Sequence, residues 1–294
     1  MLKNDEYLNL INEKLNEYLP KKAEYENNLI KAMRYTLNLP GKRLRPILAL
    51  EFCRALGGKI EECLPFACAI EMIHNYSLIH DDLPCMDDDD LRRGKPTNHK
   101  VFGEAIALLA GDGLLNLAFE VMVSKETVAL VGEKRAILAS RVLSNACGKD
   151  GMILGQVIDL ESENKSISMG LLKKMHINKT AKLISAACEI GGIIAGANEE
   201  QLLKTKEYGL DLGLAFQIMD DILDADQNEK NININKNLSD KENGKSTYVT
   251  MLGLEESKEL VNDLTNNAIE SIVFLKDEGE KLKKIAKKLS NRVI

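Results

Sequence analysis

Apolar residues recur at helical spacing along most of the chain. In the first segment they lie three or four positions apart, which predicts an amphipathic helix over residues 4–19 that ends at Pro20. An apolar segment also follows the basic stretch 42–46 and runs to Ala55. The same pattern predicts further helices over residues 24–37, 60–82, 103–124, 130–147, 150–161, 170–196, 200–225 and 246–289. No hairpin signal and no alternating strand of convincing length is visible, so the pattern predicts an all-α fold.

One segment, residues 226–244, breaks this pattern. Residues 227–237 are polar and low in complexity, with too little apolar surface to pack against a core. We therefore expect a mobile loop here. The simplest architecture is a single all-α domain over residues 1–294, a large bundle whose interior helices include the almost continuously apolar segment 60–82.

Composition supports helices and narrows the class of protein. Aromatic residues make up only 4% of the chain and Trp is absent, which disfavours sheets. The net charge of −6 offers no basic footprint for nucleic acid. The six cysteines show no C-x-x-C pair and no zinc spacing, which is typical of reduced thiols in a cytoplasmic protein. The first residues lack the apolar core of a signal peptide, and no uninterrupted apolar run reaches the roughly 18 residues of a membrane span.

Two aspartate-rich patches lie about 140 residues apart, each at the end of an apolar stretch. The first patch (residues 80–95) contains Asp81, Asp82 and Asp87, and the second (residues 217–224) contains Asp220, Asp221 and Asp224. Carboxylates clustered beside buried surface repel each other unless positive charge offsets them. Mg²⁺ binds oxygen ligands and typically combines one or two carboxylates with substrate phosphates. The patches therefore predict a site that holds a diphosphate through metal ions.

The spacing of the aspartates predicts their geometry. Asp220 and Asp224 are four residues apart and share one helix face, which Gln217 joins. Asp81 and Asp87 are six residues apart, which is roughly 240° around a helix and not one face. Because Pro84 disfavours helix at the residue before it, the helix should end near Asp82, and a loop should turn both carboxylates toward one site. His74 and Ser77, seven and four residues before Asp81, share its face and should form the wall below that site.

Cationic residues that suit a diphosphate occur in several segments of the sequence, and two of them lie within the first patch. Arginine binds phosphate oxygens through its planar fork, and lysine acts as a mobile point charge. The candidates are Lys42, Arg43, Arg45, Arg92, Arg93, Lys179, Lys182 and Lys245. Gly244-Lys245-Ser246 is not a P-loop, because position 239 is Ser instead of Gly and no strand precedes it.

Together these motifs resemble the trans-isoprenyl diphosphate synthases over nearly the whole chain. The matching segments are Asp81-Asp82-x4-Asp87 with Arg92–Thr97, Gln217-x2-Asp220-Asp221-x2-Asp224, Gly41–Pro46, Gly111-Asp112, Gly155-Gln156-x2-Asp159, Lys179-Thr180 and Gly244–Tyr248. The resemblance implies an all-helical fold of the isoprenoid synthase type with a deep central cavity, usually in a homodimer.

The resemblance also implies roles for individual residues. Asp81, Asp87 and Asp220 would bind about three Mg²⁺ ions, for which Mn²⁺ would substitute, with Asp82, Asp221 and Asp224 in support. The allylic diphosphate would be shared by Arg92, Lys179, Thr180, Gln217 and Lys245. Isopentenyl diphosphate would be held by Lys42, Arg45, His74 and Arg93. The residues expected to carry catalysis are Asp81, Asp82, Asp87, Arg92, Lys179, Asp220 and Lys245.

The implied reaction joins isopentenyl diphosphate to dimethylallyl and then geranyl diphosphate. Ionisation of the allylic diphosphate gives a cation, the double bond of isopentenyl diphosphate attacks it, and a proton is lost to pyrophosphate. Water must be excluded, and the 226–244 loop is a candidate lid. One departure from relatives is that residues 235–240 lack two glycines, which puts a contact from Lys236 to diphosphate in doubt.

The residues one turn before Asp81 predict the product length. Tyr76 and Ser77 lie where the growing tail should run, and a bulky aromatic there should stop growth. Tyr76 combined with the two-residue insertion Pro84-Cys85 resembles bacterial farnesyl diphosphate synthases. The alternatives are a geranylgeranyl diphosphate synthase, a non-catalytic partner subunit, a terpene cyclase and a helical scaffold. The intact aspartate motifs disfavour the last three.

Overall fold

A computed structural model describes residues 4–19, 28–232 and 246–290, and nearly all of these residues are helical. The first seven α-helices are α1 (Asn4–Tyr18), α2 (Asn28–Leu37), α3 (Leu44–Ala55), α4 (Ile60–Asp81), α5 (Asn98–Phe102), α6 (Glu104–Met122) and α7 (Lys125–Val131). The next eight are α8 (Glu133–Cys147), α9 (Met152–Ser162), α10 (Met169–His176), α11 (Lys182–Ala195), α12 (Glu199–Ile232), α13 (Tyr248–Leu252), α14 (Leu254–Ser271) and α15 (Glu280–Ser290). The all-α prediction is confirmed.

Shorter elements complete the described chain. A π-helical segment, Ile177–Ala181, joins α10 to α11, and a 3₁₀ segment, Val273–Gly279, joins α14 to α15. Strands β1 (Leu91–Arg92) and β2 (Lys95–Pro96) form an antiparallel hairpin. The expectation that the chain has no hairpin was therefore wrong. Each strand is only two residues long, too short to produce an alternating pattern.

Several helix boundaries differ from those that the apolar spacing predicts. The region predicted as one helix over 130–147 is divided by Gly132, which adopts a positive φ of 81° between α7 and α8. Helix α12 continues to Ile232, so the first residues of the predicted 226–244 loop are helical. The remainder of that loop, including Lys236, lies outside the described residues, and so does Lys245, which follows it.

The chain divides into two compact units. Unit 1 comprises residues 1–141 and 193–196, and unit 2 comprises residues 142–192 and 197–294. In unit 1, α4 packs against α1, α2, α3, α6 and α7. Its side chains are buried on nearly every side, as its continuous apolar sequence predicts. The single-domain expectation for residues 1–294 stays a prediction.

Unit 2 is organised around the long helix α12. It packs against α13, α14, α15 and the π-helical segment, while α9 packs against α10 and that same segment. Apolar side chains of α12, including Leu214, Ile218 and Ile222, form a core with Leu172 of α10 and Tyr248 of α13. This core holds the aspartate-bearing end of α12 in a fixed place.

One described helix, α6, is long and apolar enough to cross a membrane, with a mean hydropathy of 1.6 over its most apolar 18 residues. Polar residues interrupt its sequence, so a search for uninterrupted apolar runs does not find it. Ala107, Ala110, Leu114 and Ala118 are buried along its length, and α6 packs against α4 as a core helix does.

Candidate active site

The first aspartate motif begins where α4 ends. The helix stops at Asp81, and Pro84 follows in a turn, as predicted from its effect on the residue before it. The backbone N–H of Asp87 donates to the carbonyl oxygen of Asp81 at 2.8 Å, and that of Asp88 donates to Leu83 at 3.2 Å. These bonds fold the loop back onto the helix end. Asp81 and Asp87 are therefore neighbours despite their unfavourable helical spacing.

Asp82 and Arg92 form an ion pair behind this loop. The Asp82 side chain is almost fully buried, and Arg92 Nε donates to its Oδ1 at 2.8 Å. A second Arg92 nitrogen bonds the same oxygen and also Asp89 Oδ2, the latter at 2.8 Å. Burial raises the pKa of Asp82, and Arg92 opposes that effect. The pair fixes Arg92 beside the motif, and the role of Asp82 in metal binding stays a prediction.

The hairpin that follows places Arg93 at its tip. Arg93 has φ 54° and Gly94 has φ 75°, so both central residues of the two-residue turn are left-handed, as a type I′ turn requires. Arg93 occupies a position that Asn, Asp or Gly usually fills, which is one reason why the sequence did not reveal the hairpin. The Tyr35 hydroxyl donates to the Pro96 carbonyl at 2.7 Å and ties the hairpin to α2.

The basic residues at the start of α3 differ in their exposure. Lys42 is exposed and Arg45 is half-buried, whereas Arg43 is 4% exposed and turned into the fold. Arg43 Nη1 bonds Glu71 Oε1 at 2.9 Å. Arg43, one of the cationic candidates, therefore has its charge balanced inside unit 1.

His74 lies on α4 among arginines. Burial is the largest cause that holds its pKa well below the usual range, and the charges of Arg45, Arg93, Arg43 and Arg92 act in the same direction. The imidazole is therefore neutral at neutral pH. A neutral ring beside several guanidinium groups offers one hydrogen-bond donor to an anion without adding repulsion among the cations.

The chain-length candidates, Tyr76 and Ser77, lie about one turn before the end of α4. The Tyr76 ring is 6% exposed and packs edge-on against His80, with centroids 5.7 Å apart. Ser77 Oγ donates to the His74 carbonyl at 2.9 Å. His80 is itself fixed by α6, because its Nε2 lies 3.0 Å from the Leu108 carbonyl and its ring fills the space beside Gly111. Tyr76 thus has a defined position.

In unit 2, the second motif lies on α12. Asp221 Oδ2 accepts a hydrogen bond from the backbone N–H of Tyr248 at 3.0 Å. Burial, with the charges of Asp224 and Asp220, raises the pKa of Asp221 to about 6, against hydrogen bonds from Tyr248 and Gln217. The charges of Asp220 and Asp224 thus disfavour ionisation of Asp221, and a hard cation bound nearby would relieve that repulsion.

A cavity of about 200 Å³ lies beside this motif within unit 2. The residues that line it include Asp159, His176, Lys179, Gln217, Asp221, Asp224 and Thr247. Lys179, Gln217, Asp221 and Asp224 were predicted from the sequence, and the structure brings them together.

The π-helical segment places Lys179 at this cavity and Thr180 against Gln217, which also lines it. Lys179 Nζ bonds Asp159 Oδ2 of α9 at 2.5 Å, and Thr180 Oγ1 donates to Gln217 Oε1 at 2.9 Å. Gly155 allows the close approach of α9, since a Cβ there would lie 2.2 Å from the Lys179 nitrogen. Single π turns are often found at functional sites.

Three residues near these sites were absent from the predicted set. Asp159 was visible only as part of the Gly155-Gln156-x2-Asp159 motif, and Glu71 as a carboxylate within an apolar helix. His176 gave no sequence signal. Burial lowers its pKa to about 4, while the Asp159 carboxylate opposes this effect. Its ring packs against Tyr248 at 5.4 Å.

Within the described residues, no group of three or more His, Cys, Asp and Glu side chains has the arrangement of a complete metal site. A cation at either motif would therefore need further oxygen ligands. The phosphate oxygens of a substrate are the usual source for Mg²⁺.

Comparison with known proteins identifies the family. The polyprenyl synthetase family model matches residues 26–288. A farnesyl diphosphate synthase of Micrococcus luteus is 45% identical over 281 residues, which is 95% of this chain and 94% of the relative. A large subunit of a heterodimeric geranylgeranyl pyrophosphate synthase from Arabidopsis thaliana is 41% identical over 90% of this chain and 71% of the relative. A crystal structure of an FPP/GFPP synthase from Zymomonas mobilis is similar with a TM-score of 0.88 and 37% identity, covering 97% of each chain. The chain belongs to the polyprenyl synthetase family.

Proposed function

We propose that this chain is a farnesyl diphosphate synthase, which condenses isopentenyl diphosphate with dimethylallyl and then geranyl diphosphate. The observation that carries the proposal is the family's two aspartate motifs, both intact in a chain 45% identical to a farnesyl diphosphate synthase along almost its whole length. A non-catalytic subunit would be expected to have lost aspartates from one motif.

Isopentenyl diphosphate is assigned to unit 1, at Lys42, Arg45, His74 and Arg93. The electrostatic influence of Arg45 and Arg93 on His74 supports this assignment, because it shows that the three groups are close. The guanidinium groups attract the diphosphate, and the neutral imidazole orients it through a hydrogen bond. The substrate's double bond is thereby held for attack.

The allylic diphosphate is assigned to Arg92, Lys179, Thr180, Gln217 and Lys245. Arg92 is fixed by Asp82 and Asp89, and Lys179 by Asp159, so both cations are oriented before substrate arrives. Thr180 and Gln217 hold each other at 2.9 Å. Lys245 lies outside the described residues, as does most of the proposed lid.

The residues present fit a divalent metal. Asp81 and Asp87 adjoin at a helix end, and the mutual repulsion around Asp221 in unit 2 is what a bound cation would relieve. We assign about three Mg²⁺ ions to Asp81, Asp87 and Asp220, with Asp82, Asp221 and Asp224 in support and Mn²⁺ as a substitute. When bound, the metal supplies Lewis-acid stabilisation of negative charge on the leaving diphosphate.

The reaction needs no nucleophile from the protein, because the bonds that break and form all belong to the two substrates. The allylic C–O bond breaks, and its electron pair leaves with the diphosphate. The double bond of isopentenyl diphosphate then forms the new C–C bond to the allylic cation, and one proton passes from the resulting cation to the released pyrophosphate. The protein binds, orients and excludes water, which would otherwise quench the cation.

The product is assigned as fifteen carbons long because the buried Tyr76 ring is fixed by His80 one turn before Asp81. The alternative is a twenty-carbon product, which the geranylgeranyl-forming relative keeps open. We also propose a cytoplasmic homodimer. The exposed Leu108 and Leu109 on α6 support a protein partner, and described cysteines without disulfides support a reducing compartment.

The test is a direct assay. The purified protein is incubated with Mg²⁺, isopentenyl diphosphate and dimethylallyl diphosphate, and product length is measured by mass spectrometry with an EDTA control. A metal-dependent fifteen-carbon product supports the proposal. A twenty-carbon product retains the chemistry and removes the length assignment, whereas no product from a protein that binds its ligands indicates a partner subunit.

A further inference from the structure

Arg43 lies between two proposed substrate contacts, Lys42 and Arg45, yet its own side chain is buried in unit 1. Its backbone is left-handed, with φ 47° and ψ 39°, immediately before α3. This conformation is unfavourable for a residue with a Cβ and persists only where the surrounding structure imposes it. Something must therefore hold Arg43 in place.

The guanidinium group of Arg43 supplies that restraint by bonding three separate parts of unit 1. Nε donates to Asn12 Oδ1 of α1 at 3.0 Å. Nη2 donates to the carbonyls of Leu37 at 2.5 Å and Leu39 at 3.3 Å, at and just beyond the end of α2. Nη1 donates to Glu71 Oε1 of α4 at 2.9 Å. These bonds fix the point where α3 begins.

Glu71 connects this anchor to the helix that carries His74. Both side chains of the Arg43–Glu71 pair are 2% exposed, and Asn75 Nδ2 also donates to Glu71 Oε1, at 3.1 Å. Since His74 lies between Glu71 and Asn75 in the sequence, the same carboxylate network fixes its stretch of α4.

Arg93 lies against the same anchor. A Cβ on Gly41 would be 2.5 Å from Arg93 Nη1 and 3.1 Å from Arg43 Nη1, so both guanidinium groups border this glycine. Arg93 Nη1 also lies 3.5 Å from the Leu39 carbonyl, the acceptor that Arg43 uses. The anchor thus adjoins the hairpin tip as well as α3 and α4.

We propose that Arg43, through its buried pair with Glu71, is a positioning residue that holds Lys42, Arg45 and His74 in place for isopentenyl diphosphate. The inference rests on the proposed function, because it assigns a role relative to that substrate. A buried ion pair is weak evidence for stability, since apolar side chains of similar volume often serve as well. A pair that also imposes an unfavourable backbone beside proposed substrate contacts is better explained by binding geometry.

The first test compares Arg43→Lys with Arg54→Lys. Lysine keeps the charge of Arg43 but cannot bond Asn12, the end of α2 and Glu71 at once. We expect the KM for isopentenyl diphosphate to rise about tenfold, with the KM for geranyl diphosphate changed less than about twofold. Arg54, paired with Glu51 at 3.2 Å on α3, is the matched control and should change neither KM.

The second test separates binding geometry from stability. In the double variant Arg43→Met/Glu71→Met no charge is left uncompensated. The Asn12 and Asn75 side chains and the carbonyls of Leu37 and Leu39 each lose a hydrogen bond, so the KM is measured at a temperature where thermal unfolding shows the variant to be folded. The KM for isopentenyl diphosphate should stay raised. A wild-type KM in this variant, an unchanged KM in Arg43→Lys, or equal effects on both substrates would overturn the proposal.

A reference variant tests the proposed binding of isopentenyl diphosphate separately from the positioning role of Arg43. Lys42→Ala removes a proposed substrate contact directly. If it raises the KM for isopentenyl diphosphate and Arg43→Lys does not, only the positioning role is lost. If neither variant changes that KM in an active enzyme, the assignment of the substrate to this part of unit 1 is wrong as well.

Discussion

The backbone N–H of Asp87 donates a hydrogen bond to the carbonyl oxygen of Asp81 at 2.8 Å. This bond joins residues six positions apart, closes a loop at the end of α4 and returns the chain to the helix end. The two aspartates are brought together by the backbone itself, independently of either carboxylate. A substitution that preserves side-chain shape should therefore leave the loop intact and change only its charge.

Replacing Asp81 by Asn tests this separation. We expect kcat/KM to fall by about 100-fold or more, since a proposed metal ligand loses its charge, while the unfolding temperature stays nearly constant. Steady-state kinetics and thermal unfolding measure the two effects. Asp90→Asn is the control, because Asp90 is exposed and pairs with Lys100 at 2.6 Å away from the proposed ligands. Equal losses in both variants would contradict the assignment.

Replacing Tyr76 by Ala should lengthen the product beyond fifteen carbons. The buried ring is fixed by His80, and its removal opens space one turn from Asp81. Product length is measured by mass spectrometry at a temperature where the variant remains folded. Phe66→Leu, a change at another buried aromatic on α4, should leave the product unchanged. An unaltered product from Tyr76→Ala would remove the chain-length role.

The raised pKa of Asp221 predicts a pH-dependent effect on stability in metal-free protein. A carboxyl with a pKa of about 6 in the folded chain and 3.8 as its ordinary value favours folding below pH 4. That contribution is lost as the pH rises through 6 and amounts to up to about 3 kcal/mol. The change in the free energy of unfolding that Asp221→Asn causes should therefore be more favourable to the folded state at pH 7.5 than at pH 4.

Denaturant unfolding in EDTA at the two pH values measures this difference. Asp263→Asn, at an exposed position on α14, is the control and should show little effect at either pH. If Asp221→Asn destabilises the protein equally at both values, the carboxyl is not held at a raised pKa.

Replacing Gly155 by Ala should disturb the π-helical segment. The new Cβ would lie 2.2 Å from the Lys179 nitrogen, so α9 or the segment must move. We expect a loss of about 1–3 kcal/mol in stability and a clear fall in kcat/KM, because Lys179 shifts. Gly170→Ala is the matched control. Its Cβ would come no closer than 3.9 Å to the Ser168 hydroxyl, so this variant should be as stable as the parent protein and fully active.

Much of the fold followed from residue patterns. The helix that ends at Asp81 and the near-complete burial of α4 follow from local spacing and from Pro84. Gln217 and Asp224, which were predicted to share a face of α12, both line the cavity in unit 2. Such features are predictable because, in a regular α-helix, the spacing of two residues in the sequence determines whether their side chains lie on the same face.

Features that depend on contacts between distant segments were not predictable. The π-helical segment keeps the apolar spacing of an ordinary helix, so nothing in the sequence around Lys179 distinguishes it. The inward turn of Arg43 depends on Glu71, a residue 28 positions away. A buried carboxylate needs a positive partner, but the sequence does not show which of several arginines supplies it.

The neutral His74 has a consequence for how the enzyme responds to acidity. Its imidazole stays unprotonated at neutral pH, and the arginines beside it keep their protons throughout the physiological range. The charge that this proposed binding region presents to isopentenyl diphosphate is therefore constant across that range. Any change in the strength of binding with pH should then follow the second ionisation of the substrate's own diphosphate, which makes the ligand, and not the protein, the titrating partner.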